Sequence, residues 1–122
     1  MRLTGDVISC AVKVHKYLGS GYLESVYESA LAYEFSKRGI EFERQPSLQV
    51  WYEDYLVGQY VEDFIVEKKL LVELKALKNV NSVCEAQLLN YLKVTGLTIG
   101  LILNFGTTKL QIMRRVRNYE GS

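Results

Sequence analysis

The sequence is poor in the residues that cross-link or interrupt small proteins. Its 122 residues include one proline, two cysteines and one histidine. Cys10 and Cys84 lack the close spacing of zinc ligands, and a chain that is 48% hydrophobic can form a core without a disulfide. We therefore expect both thiols to be reduced and packed. His15 lies among apolar residues and is expected to be structural, which disfavours histidine-dependent acid–base catalysis.

A dominant charge of one sign is also missing. Fifteen basic and 14 acidic residues leave a formal net charge of +1. Overall charge therefore neither requires nor excludes a polyanionic partner, so any nucleic-acid contact must come from local patches. Lys109, Arg114, Arg115 and Arg117 form one such patch, which can meet phosphates or serve as a solvated edge that discourages strand pairing.

No hydrophobic run is long enough to cross a bilayer. The most apolar stretch, 97–105, is well short of the ~20 residues required. Gly5 and Asp6 interrupt the first ten residues, where a secretory signal would be continuously apolar. We expect a soluble, cytoplasmic protein without a membrane partner, and its length suits one domain over residues 1–122.

Helical spacing of apolar residues predicts three helices. The first covers 6–18, where Asp6 can cap the free amides, and the second covers 23–38, where Gly39 follows the last turn. The third, 83–95, is apolar on more than one face. We expect this helix to be largely buried.

Runs of β-forming residues predict five strands, which complete an α/β fold of order ααβββαββ. The predicted strands are 41–52, 55–66, 69–75, 98–104 and 109–116. Short turn-prone dipeptides separate the first three, which are expected to form an antiparallel meander. The helix between the third and fourth strands can cross over to a parallel neighbour, so the sheet is expected to be mixed.

The third predicted strand brings an acid and a base to one face. Glu73 and Lys75 are two residues apart, and side chains alternate along a strand. A hairpin around 67–68 can bring Asp63 opposite Glu73. Singly, Glu73 and Lys75 can be an exposed ion pair and Asp63 a strand-end residue. Together they indicate a site of two carboxylates and one ammonium group.

Carboxylates gathered in apolar surroundings repel each other unless a cation neutralises them. Mg²⁺ or Mn²⁺ fits this need, since Mg²⁺ accepts one or two carboxylates, water, and a backbone carbonyl such as that of Leu74. A metal held there can polarise a phosphate while Lys75 steadies the developing charge. The residues thus predict a metal site at Asp63 and Glu73.

Two helical pairs agree with this hypothesis. Glu24 and Tyr27 are at i and i+3 near the start of the second helix, where Glu24 also suits the helix dipole and can simply stabilise the helix start. Gln87 and Tyr91 are at i and i+4 on the third helix. A buried glutamine needs a partner such as a metal-bound water, a substrate phosphate or a loop carbonyl.

These residues resemble a known family. The ordered motifs are Gly21-x-x-Glu24-x-x-Tyr27, Asp63, Glu73-x-Lys75 and Gln87-x-x-x-Tyr91, with Val14-His15 before them and Leu103-Asn104-Phe105-Gly106 after them. Together they resemble the GxxExxY protein family of the PD-(D/E)XK nuclease superfamily over nearly the whole chain. The resemblance implies a single nuclease-like domain, with a mixed sheet flanked by helices.

The resemblance also implies roles for the site residues. Asp63 and Glu73 would be metal ligands and Lys75 the catalytic or phosphate-positioning base. Glu24 would match a helix glutamate found in many superfamily members and add to the catalytic set. The remaining candidates, expected to bind or orient the substrate, are Gln87, Tyr91 and Tyr27.

Two functions follow as hypotheses. The first is a Mg²⁺- or Mn²⁺-dependent phosphodiesterase that hydrolyses DNA, with RNA a weaker alternative. The second is a non-catalytic or accessory module that keeps the nuclease fold and binds nucleic acid or protein. The small size of the chain leaves room for a homodimer or a partner protein. A purely structural interpretation of the charges would not account for a glutamine in an apolar helix.

Overall fold

The computed structural model describes residues 2–117, which form a mixed five-stranded sheet with helices on both faces and a separate two-stranded hairpin. The elements are α1 (Arg2–Leu18), α2 (Glu24–Lys37), β1 (Phe42–Arg44), β2 (Ser47–Tyr52), β3 (Tyr55–Val61), β4 (Phe64–Val66), β5 (Leu70–Lys75), α3 (Ser82–Thr95), β6 (Ile99–Asn104) and β7 (Gln111–Val116).

The main sheet has the strand order β1-β4-β5-β6-β7. Strands β5 and β6 are parallel, and the other neighbouring pairs are antiparallel. Helix α3 connects β5 to β6, as its length predicts for a crossover connection. The predicted α/β class and the mixed sheet are therefore confirmed.

The predicted three-stranded meander is wrong in one respect, because its first two strands each break in two. Gln45 has a positive φ of 54° and precedes Pro46, which cannot donate a ladder hydrogen bond. Strand β1 therefore pairs with β4 in the main sheet, while β2 and β3 pair only with each other. The second break, at residues 62–63, leaves Asp63 immediately before β4.

The turn between β4 and β5 is the local feature that positions the site. Glu67 and Lys68 both have positive φ, 53° and 57°, as a type I′ hairpin turn requires. The resulting register pairs Phe64 with Val72 and Val66 with Leu70. The predicted turn at 67–68 is thus confirmed.

The helices differ from expectation at two points. Helix α1 begins at Arg2, so Asp6 lies inside it and does not cap its start. Helix α3 begins after Asn81, whose Oδ1 accepts hydrogen bonds from the amides of Val83 and Cys84 at 3.0 and 3.1 Å. The expectation that α3 is largely buried is wrong, because it buries a single stripe of Cys84, Leu88 and Leu92.

Apolar side chains alternate along β5 to form a core on each face of the sheet. Leu70, Val72 and Leu74 pack with α1 and α2, whereas Leu71 packs with α3. Glu73 and Lys75 share the parity of Leu71 and therefore the α3 face. None of the helices within residues 2–117 has the length and hydrophobicity needed to span a membrane.

The other predicted structural residues are packed as expected. Cys10 and Cys84 are free, buried thiols. His15 is buried, and its Nε2 lies 2.9 Å from the carbonyl oxygen of Thr107. Asn104, at the end of β6, bonds both the amide and the carbonyl of Leu77, which holds the segment after β5 against the loop after β6.

Candidate active site

The hairpin between β4 and β5 brings Asp63 to the end of β5. The register pairs Phe64 with Val72, and Asp63 directly precedes this last pair, just outside β4. The Oδ2 atom of Asp63 accepts a hydrogen bond from the amide of Leu74 at 2.7 Å. This bond fixes the Asp63 carboxylate against the end of β5.

Glu73 is a buried carboxylate with incomplete hydrogen bonding. Its side chain belongs to a residue that is 4% exposed, and within residues 2–117 its Oε2 has no hydrogen-bond partner. The Lys75 ammonium lies 3.9 Å from that oxygen. Burial raises the pKa of Glu73 above its usual value, although Glu62 and Lys75 oppose the rise. Negative charge at this point is therefore only partly balanced by the protein.

The pKa of Asp63 is raised to about 7. Burial is the largest cause, and the carboxylates of Glu28 and Glu24 add to it, whereas the bond from the Leu74 amide opposes it. A second raised carboxyl pKa beside Glu73 indicates that acids are held together against their mutual repulsion.

Glu62 is a further acid of the site, which the sequence analysis did not identify. It is 3% exposed, and its Oε1 accepts a hydrogen bond from the Asp63 amide at 3.1 Å. Burial and then the neighbouring Glu73 carboxylate raise the pKa of Glu62 to about 9. Strand alternation would point residues 62 and 63 to opposite faces, but the chain leaves the strand at this point. The break therefore hid Glu62 from a periodicity argument.

The first turns of α2 face the same group of acids. Glu24 begins the helix, is exposed, and is near enough to raise the pKa of both Asp63 and Glu73. Glu28, one turn later, is buried and was not identified from sequence. Its Oε2 accepts hydrogen bonds from Arg44 Nε at 2.8 Å and from Gln45 Nε2 at 3.2 Å. These bonds connect α2 to the bend between β1 and β2.

Tyr27 does not lie where a direct substrate contact requires it. The residue is fully buried, and its ring stacks on Phe105 at a centroid distance of 4.6 Å. Its hydroxyl donates to the Gly19 carbonyl at 2.6 Å and accepts from the Tyr22 amide at 3.2 Å. Direct substrate contact is excluded for a ring buried in this way, whereas the orienting role expected of Tyr27 stays a prediction. Tyr27 instead holds the glycine loop that precedes Glu24.

Gln87 and Tyr91 lie on α3 beside the acids. Gln87 is exposed, which corrects the expectation of a buried glutamine. Tyr91 is half-buried, and its ring centroid lies 5.4 Å from that of Tyr60 on β3. Burial, with contributions from Glu62 and Glu73, raises the pKa of Tyr91. Together, Tyr60, Gln87 and Tyr91 line a shallow concave surface next to the carboxylates.

The oxygen atoms of this site are of the kind that bind a divalent cation, but they do not form a complete coordination shell. Within residues 2–117 no three or more histidine, cysteine or acidic side chains are arranged to chelate a metal. Mg²⁺ needs only one or two carboxylates besides water and carbonyl oxygens. Asp63, Glu73 and the Leu74 carbonyl meet that requirement. The unpartnered oxygen of Glu73 is an observation that a cation would explain.

The basic residues near the end of the chain are only partly available to phosphates. Arg115 Nε donates to Glu85 Oε1 at 2.9 Å, which ties β7 to α3. Arg114 on the same edge strand is exposed. The two interpretations of this patch, phosphate contact and solvated edge, therefore both remain open for Arg114.

Comparison with known proteins adds one finding. Neither the curated proteins nor the solved structures gave a match. A family model described as the PD-(D/E)XK nuclease superfamily matches residues 1–116. The match includes every element of the fold and each acid of the site. The chain therefore belongs to the PD-(D/E)XK nuclease superfamily.

Proposed function

We propose that the chain is a Mg²⁺- or Mn²⁺-dependent nuclease that hydrolyses phosphodiester bonds in DNA. Superfamily membership supports a nuclease-like function. The observation that carries the finer proposal is the Glu73 carboxylate, which is buried with an unpartnered oxygen and with Lys75 3.9 Å away, while the adjacent Leu74 amide holds the Asp63 carboxylate. Acids so arranged gain most from a cation that also binds phosphate.

In this proposal Asp63, Glu73 and the Leu74 carbonyl hold the metal. When bound, the metal supplies polarisation of the phosphate and a hydroxide nucleophile at neutral pH. The Leu74 amide keeps one oxygen of Asp63 in place, and Glu62 restrains the Asp63 backbone. Lys75, half-buried beside Glu73, stabilises the negative charge that develops on the phosphate oxygens.

Substrate orientation falls to the side chains around the acids. Exposed Gln87 and half-buried Tyr91 can hydrogen-bond a phosphate or a base on the α3 side. Glu24 is exposed at the start of α2 and adds negative charge beside Asp63. Tyr27 acts indirectly, because its hydroxyl holds the loop that leads to Glu24.

Cleavage of single-stranded, duplex and branched DNA tests the proposal, with Mg²⁺, Mn²⁺ or EDTA. Asp63→Ala, Glu73→Ala and Lys75→Ala are each expected to abolish cleavage. Asp6→Ala is the matched control, because Asp6 is an exposed acid on α1 outside the site. Circular dichroism checks folding of each variant. Cleavage that survives in any of the three site variants would contradict these assignments.

The alternative is an accessory module that keeps the fold without cleaving. The β2–β3 hairpin favours it, because Trp51, Tyr52 and Tyr55 near its turn are exposed aromatics of the kind enriched at protein interfaces. Metal binding without cleavage of any of the three DNA forms would favour this alternative over the nuclease.

A further inference from the structure

An apolar groove lies at the surface between α1 and α2, and the candidate site does not use it. Val14, Leu18 and Ala30 contribute apolar side chains to its lining. Tyr17 on α1 and Tyr33 on α2 also line it and are 90% and 64% exposed. Single exposed aromatics are common, but two beside one apolar groove mark an interaction surface.

The groove is also strongly basic. Lys13 and Lys37 line it, and Lys16 and Arg38 line a second depression that shares Lys13 and Tyr17 with the first. Four cations and one carboxylate give this surface a formal charge of +3, whereas the whole chain carries +1. Local positive charge of this kind is what a polyanion needs.

The carboxylate lies beneath the cations and does not cancel them. It belongs to Glu34, which is buried, with Lys13 Nζ 3.2 Å from its Oε1 and Lys37 Nζ 3.4 Å from its Oε2. The lysine side chains themselves stay about half exposed, 54% for Lys13 and 44% for Lys37. Glu34 therefore orders the ammonium groups at the surface.

We infer that this surface, the α1–α2 groove (Lys13, Lys16, Tyr17, Tyr33, Lys37, Arg38), binds single-stranded nucleic acid. The inference rests on the proposed nuclease function and names its substrate class. Exposed aromatic rings stack on bases, and only unpaired bases offer a free face. Lysine and arginine along the same groove neutralise the phosphates between those bases. Lys37 Nζ lies over one face of the Tyr33 ring, 5.3 Å from its centroid, and leaves the other face for a base. An acidic protein would meet the cations but would not require exposed tyrosine rings.

The groove and the carboxylates border the same helix but lie on different sides of it. Glu24 begins α2, and Tyr33 lies nine residues later. At ~1.5 Å per residue and ~3.6 residues per turn, this is about 14 Å along the helix axis and about two and a half turns around it. A single strand that contacts both must therefore pass around α2. The groove would then hold the strand on one side of α2 while its end reaches the acids on the other.

Fluorescence anisotropy in EDTA tests this inference without any cleavage. The probes are a labelled oligothymidylate of about 20 nucleotides, longer than the ~4–16 nucleotides of a typical single-strand site, and a duplex of equal length. Tyr17→Ala and Tyr33→Ala are each expected to weaken single-strand binding about tenfold, the loss of one stacked base. Leu89→Ala, at an exposed apolar side chain of α3 outside the groove and the candidate site, is the control and should bind as the native chain does.

Two further variants separate stacking from charge. Tyr17→Phe keeps the ring and is expected to retain native affinity. Lys16→Gln should lower the slope of log affinity against log salt by ~0.7, the value for one phosphate contact on a single strand. Lys69→Gln, an exposed lysine outside the groove, should leave that slope unchanged.

Three results would contradict single-strand binding by the groove. These are native affinity in both tyrosine-to-alanine variants, equal losses for single strand and duplex, or binding of an acidic helical peptide but of no oligonucleotide. The binding assay contains no metal, so its outcome does not depend on cleavage. Single-strand binding through the groove without any DNA cleavage would contradict the nuclease proposal but not the groove. DNA cleavage by the native chain, together with native single-strand affinity in the groove variants, would contradict the groove but not the nuclease proposal.

Discussion

Glu34 on α2 and Glu73 on β5 are both buried glutamates, yet their surroundings are opposite. Lys13, Lys37 and Arg38 each place a nitrogen within 4.0 Å of Glu34. Burial opposes ionisation of Glu34, but the two lysines outweigh it and lower its pKa. Glu73 has Lys75 at 3.9 Å and carboxyl neighbours, and its pKa is raised.

The difference shows that burial alone does not make a site. Within residues 2–117, one side-chain oxygen of each glutamate has no hydrogen-bond partner. The Glu34 oxygen nevertheless forms an ion pair with the Lys13 ammonium, 3.2 Å away. The protein itself neutralises Glu34, whereas the acids around Glu73 have raised pKa values and ionise less readily. Carboxyl groups gathered in this way are balanced by protons or by an external cation that replaces them.

Loss of cleavage and metal binding is the largest expected effect. Glu73→Gln should lower cleavage at least about a hundredfold, because it weakens binding of the cation that would stabilise charge at the reacting phosphate. It should also abolish the rise in melting temperature that Mn²⁺ produces in the native chain. Glu34→Gln should keep that rise, as thermal denaturation with and without Mn²⁺ can show. An equal loss of the Mn²⁺ effect in both variants would erase the distinction between the two glutamates.

Stability of the metal-free protein should fall as pH rises. The pKa of Asp63 is raised from 3.8 to about 7 and that of Glu62 from 4.5 to about 9, so between about pH 4 and pH 9 the folded state binds more protons than the unfolded chain. The free energy of unfolding in EDTA should therefore decrease over this window, by at least about 1.4 kcal/mol, the value of one pKa unit.

Urea denaturation at several pH values measures this decrease. Mn²⁺ should flatten the profile, since a cation replaces the protons between the carboxyl groups. A combined Glu62→Gln and Asp63→Asn variant should lose most of this slope without metal and keep only the part that comes from Glu73. A metal-free profile that rises with pH would show that these carboxyl groups are stabilised as anions by the protein, as Glu34 is.

Neutralising the two glutamates should change stability in opposite directions. Glu34→Gln is expected to cost about 2 kcal/mol, because it removes a charged acceptor from two lysine contacts. Glu73→Gln in EDTA should be neutral or stabilising by up to ~1 kcal/mol, since it relieves repulsion at a poorly paired buried charge. Urea denaturation at pH 8 without metal compares the two variants. Destabilisation of similar size in both would contradict the contrast.

The smallest effect is expected at a single cation of the Glu34 network. Lys37→Gln should lower the free energy of unfolding by only a small part of the Glu34→Gln cost, because Lys37 is largely exposed and Lys13 and Arg38 remain beside Glu34. Lys69→Gln serves as the exposed-lysine control. A cost near that of Glu34→Gln would mean that Lys37 alone neutralises the buried acid.

Local sequence signals were sufficient for most of the fold. The hairpin turn at 67–68, the glycine that ends α3 and the crossover from β5 to β6 depend on neighbouring residues, and each is present. The same locality brings Asp63 to the end of β5, because one short hairpin pairs Phe64 with Val72 and Asp63 directly precedes Phe64. The strand breaks at Gln45 and at residues 62–63 escaped the pattern, since β-forming residues continue through both.

The parts of the site that sequence reasoning missed depend on contacts between distant elements. Glu28 belongs to the site because α2 packs beside the bend at Arg44 and Gln45. Gln87 was expected to be buried, but α3 buries only one stripe and leaves it exposed. Tyr27 was expected at the substrate, but Phe105, far along the chain, holds its ring inside the core.

The sequence by itself determined the α/β class, the order of the helices and the main hairpin that joins Asp63 to the strand of Glu73, because these follow from periodicity and turn chemistry within a few residues. Only the tertiary structure decided which acids are left unbalanced. Glu34 and Glu73 look alike in sequence, and burial together with the charges brought near each one separates them. Packing sets those distances, and electrostatic interaction depends on distance and burial rather than on order along the chain.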